Sequence, residues 1–416
     1  MTLNESREWS LTDGVVRHTT GRFFELRGYE WSDSTGNYVC SPFVNQPEVG
    51  ILGMLVSRRD DKLRVLMDAK FEPGNVFGVD VAPCFQATRS NFERAHGGSA
   101  PALSETFLTE SNWHSGVKQS EQGTRFMKKW NENVIIIESG ELEVQLNPTM
   151  RWHTTAELRE LLLTSHALNT DARSVIATSD WNLWISDGDV RADESHFARA
   201  IRESLAVPPR DDVTSRATHA LTAWAHDHPI SYREVPLVLN DGKVAVDSAG
   251  EPTQTQISHV RVATDSRERS AWDQPLISNP VASEEVLLCA LDKQGIPQFF
   301  FTPVTEVGLS GAQFGTSLAS FDPARSNPLV LSNPVAVALR DTSTLLTRIE
   351  QSDEGGRFNQ QRVTYSIRLI DDMSRASELA PSGEWFAPSE INELAQQTGF
   401  FTNEARSSLS LVVGLS

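Results

Sequence analysis

Cysteine is scarce in this chain of 416 residues, which contains only Cys40, Cys84 and Cys289. Their number is odd and no two form a CxxC pair, so the sequence indicates neither a disulfide framework nor a thiolate zinc site. No run of about eighteen apolar residues is present, and the opening MTLNESREWS lacks the basic and then apolar pattern of a secretory signal. We therefore expect a cytoplasmic protein.

Positive charge is also in short supply. The chain has 37 Lys and Arg against 55 Asp and Glu, a formal net charge of −18. A protein that binds a nucleic-acid backbone or an anionic membrane needs a surplus of cations, so neither partner is expected. The segment with the strongest local excess of positive charge runs from Lys118 to Lys129, where Arg125 and Lys128 add positive charge around Glu121. We expect a bound diphosphate there, and a solvated basic face is the alternative.

The last third of the chain repeats motifs of the first third. QSEQGTRF (119–126) aligns with QSDEGGRF (351–358), and two further pairs of segments align at nearly the same shift of 232 or 233 positions. These further pairs are RWHTTAELREL (151–161) with EWFAPSEINEL (384–394), and NTDARS (169–174) with TNEARS (402–407). Segments that share one shift predict two copies of one domain.

The repeat predicts an N-terminal domain over 1–192, a connector over 193–229 and a C-terminal copy over 230–416. The connector is expected to form two helices around a Pro-Pro break, with Leu221 and Trp224 on an apolar face. Such a segment packs against its neighbours and does not act as a flexible tether.

Each copy is predicted to be an α+β domain. Thr154 and Glu157 form a capping-box pattern that predicts a helix to Ser165, and Pro388 stands at the first turn of the repeated helix. Segments rich in β-branched and aromatic residues, broken by Gly, Asp and Pro, predict strands of a mixed or antiparallel sheet at 21–31, 49–58, 62–71 and 133–139.

Polar motifs follow one another through the first copy. They are HxxGxFF with His18, Gly21, Phe23 and Phe24, then QPEVGILG (46–53), AKFEPGN (69–75), QATRSN (86–91), HGGS (96–99), QSEQG (119–123) and NEN (131–133). In this order they resemble the NDP-hexose 2,3-dehydratase family, whose enzymes act on a dTDP-4-keto-6-deoxyhexose in deoxysugar biosynthesis. The resemblance covers nearly the whole chain.

The resemblance implies two Nudix-like domains, a homodimer, and a nucleotide-sugar pocket in each copy, of which one is the active site. The second copy has PVTE (303–306) near the position of EPGN and GTSLAS (315–320) in place of QATRSN, so we expect its pocket to be degenerate. No run resembles the metal-binding helix of a true Nudix hydrolase, and no His or His–carboxylate pair stands at ligand spacing. We expect no metal and no cofactor.

The implied reaction removes the C-2 hydroxyl after loss of the C-3 proton, which the C-4 ketone makes acidic. It requires a base, a donor to the enolate oxygen and an acid for the hydroxyl. We assign the base to Glu121, with Glu72 as second choice, the enolate donor to Lys70 and Asn75, and the acid to His96.

Each of these assignments has a structural alternative. Glu72 could cap the turn that follows it, and Glu121 could form a salt bridge with Arg125 or Lys118. Lys70 and Glu72 lie two residues apart on a predicted strand and therefore on one face. They could form no more than an ion pair on a solvated surface.

The same motifs contain the residues expected to bind the nucleotide sugar. They are His18, Phe23, Asn75, Gln86, Arg89, Ser90, Asn91, Gln119, Ser120, Gln122, Arg125, Lys129, Trp130, Asn131 and Asn133. Arg89 is expected to clamp the diphosphate, while Gln86 and Asn91 contact the sugar hydroxyls or the base. Trp130 and Glu132 stand where the family has arginines, which removes two bidentate diphosphate contacts.

Two other functions remain open from the residues alone. The first is a non-catalytic nucleotide-sugar-binding protein, which the missing arginines favour. The second is a nucleotide-sugar hydrolase of the Nudix type, which the missing metal-binding helix disfavours.

Overall fold

A computed structural model of the chain describes residues 1–59, 62–88, 102–138, 146–185, 195–264 and 271–416. No helix in these ranges is both long enough and apolar enough to span a membrane. Expectations that fall on residues in the gaps between the ranges lie outside the described part of the chain.

The N-terminal half contains two sheets. Their strands are β1 Trp9–Thr12, β2 Val15–His18, β3 Glu25–Ser32, β4 Tyr38–Asn45, β5 Gly50–Arg59, β6 Lys62–Phe71, β7 Val79–Pro83, β8 Phe85–Ala87, β9 Ser115–Ser120, β10 Phe126–Met127, β11 Trp130–Glu138 and β12 Met150–Thr154. One sheet has the order β1-β2-β3-β4-β10 and the other β12-β6-β5-β11-β9, with β7 beside β6 and β8 beside β5. β5 pairs with β6 in antiparallel and with β11 in parallel orientation.

Helices follow the sheets and continue through the connector. They are α1 Ser104–Leu108, α2 Thr155–Leu162, α3 Thr170–Ala177, α4 Asn182–Ile185, α5 His196–Leu205 and α6 Val213–Asp227, with short 3-10 turns at Leu3–Glu5 and Glu110–Asn112. The capping box of Thr154 and Glu157 begins α2, as predicted. The two connector helices are also confirmed, and Leu221 and Trp224 are buried on the inner face of α6.

The C-terminal half contains strands β13 to β26 and helices α7 to α10. They are β13 Tyr232–Val235, β14 Leu237–Asn240, β15 Lys243–Val246, β16 Glu251–Pro252, β17 Gln256–Ala263, β18 Ala271–Ser278, β19 Ser283–Leu291, β20 Pro297–Glu306, β21 Gln313–Gly315, β22 Leu318–Ala319, β23 Arg325–Ser326, α7 Pro334–Thr342, β24 Thr344–Ser352, β25 Arg362–Leu369, α8 Met373–Leu379, β26 Glu384–Phe386, α9 Pro388–Ala395 and α10 Asn403–Leu415. Pro388 begins α9, as predicted.

The main sheet of the C-terminal half has the order β21-β20-β19-β25-β24. β19 pairs with β20 in antiparallel and with β25 in parallel orientation, the same arrangement that β5 has with β6 and β11. β13 and β16 pair with β3 and β4 of the first half, so the start of the expected C-terminal copy completes the N-terminal sheet. The boundary at residue 230 stays a prediction.

The α+β class is confirmed. Each of the four segments predicted as strands overlaps an observed strand, namely β3, β5, β6 and β11. The apolar side chains of β5, β6 and β11 pack with those of the main C-terminal sheet in one cluster, which includes Met54 and Ile135 from the first half and Phe299 and Tyr365 from the second. The halves therefore share a hydrophobic core.

Helices α3 and α10 pack against each other in this shared core. Each carries an arginine whose side chain contacts the other half. Arg173 of α3 is fully buried. Its Nε donates to Ser407 Oγ at 3.2 Å, and its Nη2 donates to the backbone oxygen of Ser352 at 3.0 Å. Both acceptors belong to the C-terminal half.

Arg406 of α10 makes the reciprocal contacts. It is also buried, its Nε donates to Ser174 Oγ at 2.8 Å, and its Nη2 donates to the backbone oxygen of Ser120. Both acceptors lie in the N-terminal half. Donors of both buried guanidinium groups thus form hydrogen bonds with neutral oxygens of the opposite half. These bonds fix the position of one half relative to the other.

Loops of the two halves also contact each other along this boundary. The turn after β24 packs onto the EPGN turn after β6: Gly356 N–H donates to Pro73 O at 2.8 Å, and Gln360 N–H donates to Gly74 O at 2.7 Å. Gly74 has φ +94°, and a Cβ there would lie 1.9 Å from Phe358 O. Only glycine satisfies both the conformation and the close approach.

The QSEQG turn of the first half makes the reverse contact. Gly308 N–H donates to Gly123 O at 2.7 Å, and Lys128 N–H donates to Gly308 O at 2.8 Å. Each half therefore contributes a turn that packs onto a turn of the other half.

We expect Arg173→Met and Arg406→Met each to lower the free energy of unfolding by about 3 kcal/mol, because several buried oxygens lose their donors. Urea denaturation followed by circular dichroism measures this. Arg375→Met, at an exposed position of α8, is the matched control and should change stability by less than about 0.5 kcal/mol. Equal small effects at all three positions would show that the reciprocal arginines do not hold the halves together.

Candidate active site

Polar side chains converge where β6, β8 and α3 meet. Lys70 Nζ, at the end of β6, lies 2.9 Å from Glu72 Oε1 and donates to Gln86 Oε1 of β8 at 2.7 Å. Gln86 Nε2 in turn donates to Asp171 Oδ2, in the first turn of α3. The Lys70 and Glu72 side chains are only 17% and 11% exposed, so their ion pair does not lie on a solvated face.

Glu121 lies beside this chain of contacts, with both carboxylate oxygens occupied by amides. Asn131 Nδ2, on β11, donates to Oε1 at 2.5 Å, and Asn403 Nδ2, in the first turn of α10, donates to Oε2 at 3.2 Å. The expected alternative, a salt bridge to Arg125 or Lys118, is not what holds this side chain. Glu121 is 5% exposed.

Three carboxylates meet at this point. Oxygen atoms of Glu121, Asp171 and Glu354 all lie within 4.8 Å of one another. Glu121 and Asp171 come from the first half and are buried, whereas Glu354 comes from the second half and is partly exposed. We call these three residues the carboxyl set.

Burial and mutual repulsion keep protons on the carboxyl set. Removal from water raises the pKa of Asp171 to about 7, with the charges of Glu121 and Glu72 adding to the effect. Removal from water also raises the pKa of Glu121, which Arg406 opposes, and raises the pKa of Glu354 well above its usual range. Like charges this close do not all ionise near neutral pH, so the set holds at least one proton.

Two buried groups nearby have unused hydrogen-bonding capacity. Among the described residues, neither amide atom of Asn75 has a partner, and the same is true of Glu72 Oε2. Asn75 is 6% exposed, and its Oδ1 would lie 2.0 Å from a Cβ at Gly355. A pocket that holds unsatisfied polar atoms against a glycine is suited to a polar ligand.

The sequence of the chain matches a known protein family over most of its length. A family profile described as NDP-hexose 2,3-dehydratase fits residues 1–178 and 228–412. The chain belongs to the NDP-hexose 2,3-dehydratase family. The resemblance and the enzyme class expected from the sequence are thereby confirmed.

Three relatives of the chain carry one name, dTDP-4-dehydro-6-deoxy-alpha-D-glucopyranose 2,3-dehydratase. The protein from Saccharopolyspora spinosa is 30% identical over 422 residues, which cover 95% of this chain and 83% of the relative. The protein from Streptomyces violaceoruber is 28% identical, with 96% and 88% covered. The protein from Amycolatopsis orientalis is 27% identical, with 96% and 82% covered.

Several family-motif residues expected to bind substrate instead contact the second half. Gln119 Nε2 donates to Gln397 O at 3.0 Å, and Ser120 Oγ donates to Gln313 Oε1 at 2.9 Å. Gln122 Nε2 donates to Asp353 Oδ1 at 2.9 Å. These contacts connect the two halves, and a role of Gln119, Ser120 and Gln122 in binding stays a prediction.

Arg125 and Asn133 are also engaged within the protein. Arg125 Nη2 donates to Asp322 Oδ2 at 2.8 Å, and Asn133 Nδ2 donates to Ser174 Oγ at 2.9 Å. Lys129 is 5% exposed, and its Nζ donates to the backbone oxygen of a glutamate in the QPEVG motif. Of these three, only Lys129 lies close to the carboxyl set.

The residues at the arginine positions of the family motif lie apart from the pocket face. Asn131 reaches Glu121, and because side chains alternate along β11, Glu132 points to the opposite face, where Lys118 lies nearby. Trp130 packs toward Gly399 of the second half. Glu132 therefore does not face Glu121, and its effect on diphosphate binding stays a prediction.

The remaining expected residues lie elsewhere. His18 Nδ1 is 2.8 Å from Thr20 Oγ1, and its ring contacts Phe23 with centroids 4.4 Å apart. Arg89, Ser90, Asn91 and His96 fall outside the described residues. Their roles stay predictions.

Sequence reasoning missed four members of the site: Asp171, Glu354, Asn403 and Arg406. The signal was present, because NTDARS, TNEARS and QSDEGGRF were recognised as repeats. A repeat by itself indicates only a shared scaffold, and the polar residues of these segments come together only through contacts between the two halves.

The carboxyl set is also where a cation could bind, since three oxygen atoms converge there. Arg406 and Lys129 already place positive charge beside Glu121. The absence of a metal requirement stays a prediction for the dehydratase, to be tested with a chelator.

We expect Asp171 to make stability fall as pH rises. Its folded-state pKa of about 7 exceeds the ordinary 3.8, so the folded state binds more protons between these values, and the free energy of unfolding declines from about pH 4 to pH 7. Asp171→Asn removes this ionisation and should reduce the loss of stability between pH 5 and pH 8 by roughly 2 kcal/mol.

Urea denaturation at the two pH values measures the difference. Asp211→Asn, at an exposed position before α6, should leave the wild-type pH dependence intact. If Asp171→Asn also kept the full wild-type decline, Asp171 would not be the group that retains a proton on folding.

Proposed function

We propose that the chain is a dTDP-4-keto-6-deoxyhexose 2,3-dehydratase that forms a 3,4-diketo-2,6-dideoxy sugar nucleotide in deoxysugar biosynthesis. One observation carries the proposal. A lysine–carboxylate pair, in which one carboxylate oxygen has no partner among the described residues, stands beside three carboxyl groups whose oxygen atoms lie within 4.8 Å of one another. A base, a cation and an acid are the three groups that this elimination requires.

Glu72 is the base in this proposal. Its Oε2 has no partner among the described residues, whereas both oxygens of Glu121 accept amide hydrogens. The preference expected from the sequence is thus reversed. Glu72 takes the C-3 proton, and the electron pair of that bond moves onto the C-4 oxygen as an enolate.

Lys70 stabilises the enolate. It is held by Glu72 and Gln86 at the end of β6, so its ammonium is oriented before substrate binds. A preorganised cation contributes most when charge develops on the substrate, as it does at the C-4 oxygen here. Asn75, whose amide atoms have no partner among the described residues, supplies a second hydrogen bond.

Glu354 gives the proton to the leaving hydroxyl. It is the partly exposed member of the carboxyl set. Collapse of the enolate breaks the C-2 to oxygen bond, and water leaves with the proton of Glu354. The resulting enol at C-3 becomes the ketone when its hydroxyl releases one proton to water and C-2 takes up one proton from water. The proton that Glu72 accepted then passes by way of Asp171 to Glu354, which restores the starting state of both carboxyl groups.

We also propose that the halves are two copies of a Nudix-like domain and that the enzyme is a homodimer. The matching strand pairings around β5 and β19 support the duplication. Light scattering coupled to gel filtration tests the dimer.

The activity is tested by incubating the protein with dTDP-4-keto-6-deoxyglucose, with and without a chelator. A 3,4-diketone condenses with o-phenylenediamine to a quinoxaline, which mass spectrometry identifies. We expect dehydration that the chelator does not affect. Metal-dependent release of a nucleoside monophosphate would indicate a Nudix-type hydrolase, and binding without turnover would indicate a non-catalytic protein.

We expect Glu72→Gln to lower kcat by about 10³-fold and Lys70→Met by about 10²-fold, because each removes a group that acts in the transition state. Matched controls are Glu105→Gln and Lys62→Met, at exposed positions of α1 and β6. They should retain wild-type rates. Full dehydration rates in both Glu72→Gln and Lys70→Met would remove these residues from the mechanism.

A further inference from the structure

Arg357 of the second half lies against the first-half pocket. Its guanidinium is 4.3 Å above the ring of Phe24. Its Nε and Nη2 donate to Gln46 Oε1 at 3.3 and 3.0 Å, and its Nη1 donates to Gly356 O at 2.9 Å. An aromatic face and a side-chain amide therefore fix the plane and direction of this cation.

No carboxylate among the described residues forms an ion pair with Arg357. All of its hydrogen bonds go to neutral oxygens, and the side chain is partly exposed. Its repeat partner Arg125 differs, because Arg125 Nη2 lies 2.8 Å from Asp322 Oδ2. The repeat thus holds one neutralised and one unneutralised arginine.

A second cation lies near Arg357. Lys129 Nζ donates to the backbone oxygen of Glu48 and, among the described residues, forms no ion pair. Burial lowers the pKa of Lys129; the charges of Glu121 and Glu354 oppose this effect, and the charge of Arg357 adds to it. Two cations in a chain of net charge −18 mark one end of the pocket as anion-binding.

We propose that Arg357, positioned by Gln46 and Phe24, binds the diphosphate of the nucleotide sugar in the first-half pocket. The proposal rests on the function given above and assigns a diphosphate contact in the first-half pocket to a residue of the second half. A guanidinium offers two parallel donors to phosphate oxygens, and an ion-paired arginine such as Arg125 would first have to give up its carboxylate. Glu354, three residues earlier on the same turn, would then act on the sugar of the same ligand.

Isothermal titration calorimetry with dTDP and with thymidine tests the assignment. Arg357→Met should weaken dTDP binding by about 10- to 100-fold, which corresponds to the loss of a bidentate charged contact. Thymidine has no phosphate, so its affinity should not change. Arg362→Met is the matched control, because Arg362 forms an exposed pair with Glu350 and should bind dTDP as the wild type does.

A second variant keeps the arginine and changes only its partner. Gln46→Glu places a carboxylate where the amide oxygen accepts from Arg357, which recreates the pairing of Arg125 with Asp322. We expect weaker dTDP binding with unchanged thymidine binding and no loss of thermal stability. This variant keeps the test valid if Arg357→Met does not fold.

The outcomes separate the two proposals. If the wild type neither binds dTDP nor dehydrates the sugar nucleotide, the proposed function fails. If the wild type does both, and folded Arg357→Met or Gln46→Glu binds dTDP with wild-type affinity, the Arg357 assignment is overturned. An equal loss of dTDP and thymidine binding would also overturn it, since the arginine would then shape the pocket and not contact phosphate.

Discussion

The reciprocal burial of Arg173 and Arg406 is the constraint on which the rest of the molecule depends. Each guanidinium crosses from its own helix to a serine side chain and a backbone oxygen of the other half. A buried cation is stable only if its N–H groups have hydrogen-bond acceptors. The two halves therefore have one relative position in which both arginines keep their acceptors. That position brings the turn after β24 onto the turn after β6 and brings Glu354 to Asp171 and Glu121.

The two halves differ in how their charged side chains are paired. In the second half, Arg325 is buried and binds Glu285, Glu306 and Glu404 at 2.6 to 2.8 Å. Its charge is neutralised within the protein. At the first-half site, among the described residues, Lys70 pairs with Glu72, one oxygen of Glu72 has no partner, and Arg357 of the second half forms no ion pair with a carboxylate. Unused charge therefore concentrates in one pocket.

Local sequence was sufficient to predict the helices and strands, but it was not sufficient to predict all the residues of the site. The capping box of Thr154, the β-branched segments and Pro388 act through neighbours within a few residues, so α2, the central strands and α9 could be predicted. Lys70, Glu72 and Gln86 were also identifiable from the family motifs. Asp171 and Glu354 were not, because their chemistry arises from burial next to each other, and 183 positions separate them in the chain. Glu121 was identified as a site residue, but its amide partners, which favour Glu72 as the base, come from β11 and α10.

The central claim is that Glu354, supplied by the second half, protonates the hydroxyl that leaves from the first-half pocket. The most direct measurement compares Glu354→Gln with the wild type on two substrates, the natural 2-hydroxy sugar nucleotide and its 2-fluoro analogue. Fluoride leaves without a proton donor. The account predicts a loss of at least about 10²-fold in kcat with the hydroxyl and less than about 10-fold with fluoride. Equal losses with both leaving groups would contradict it.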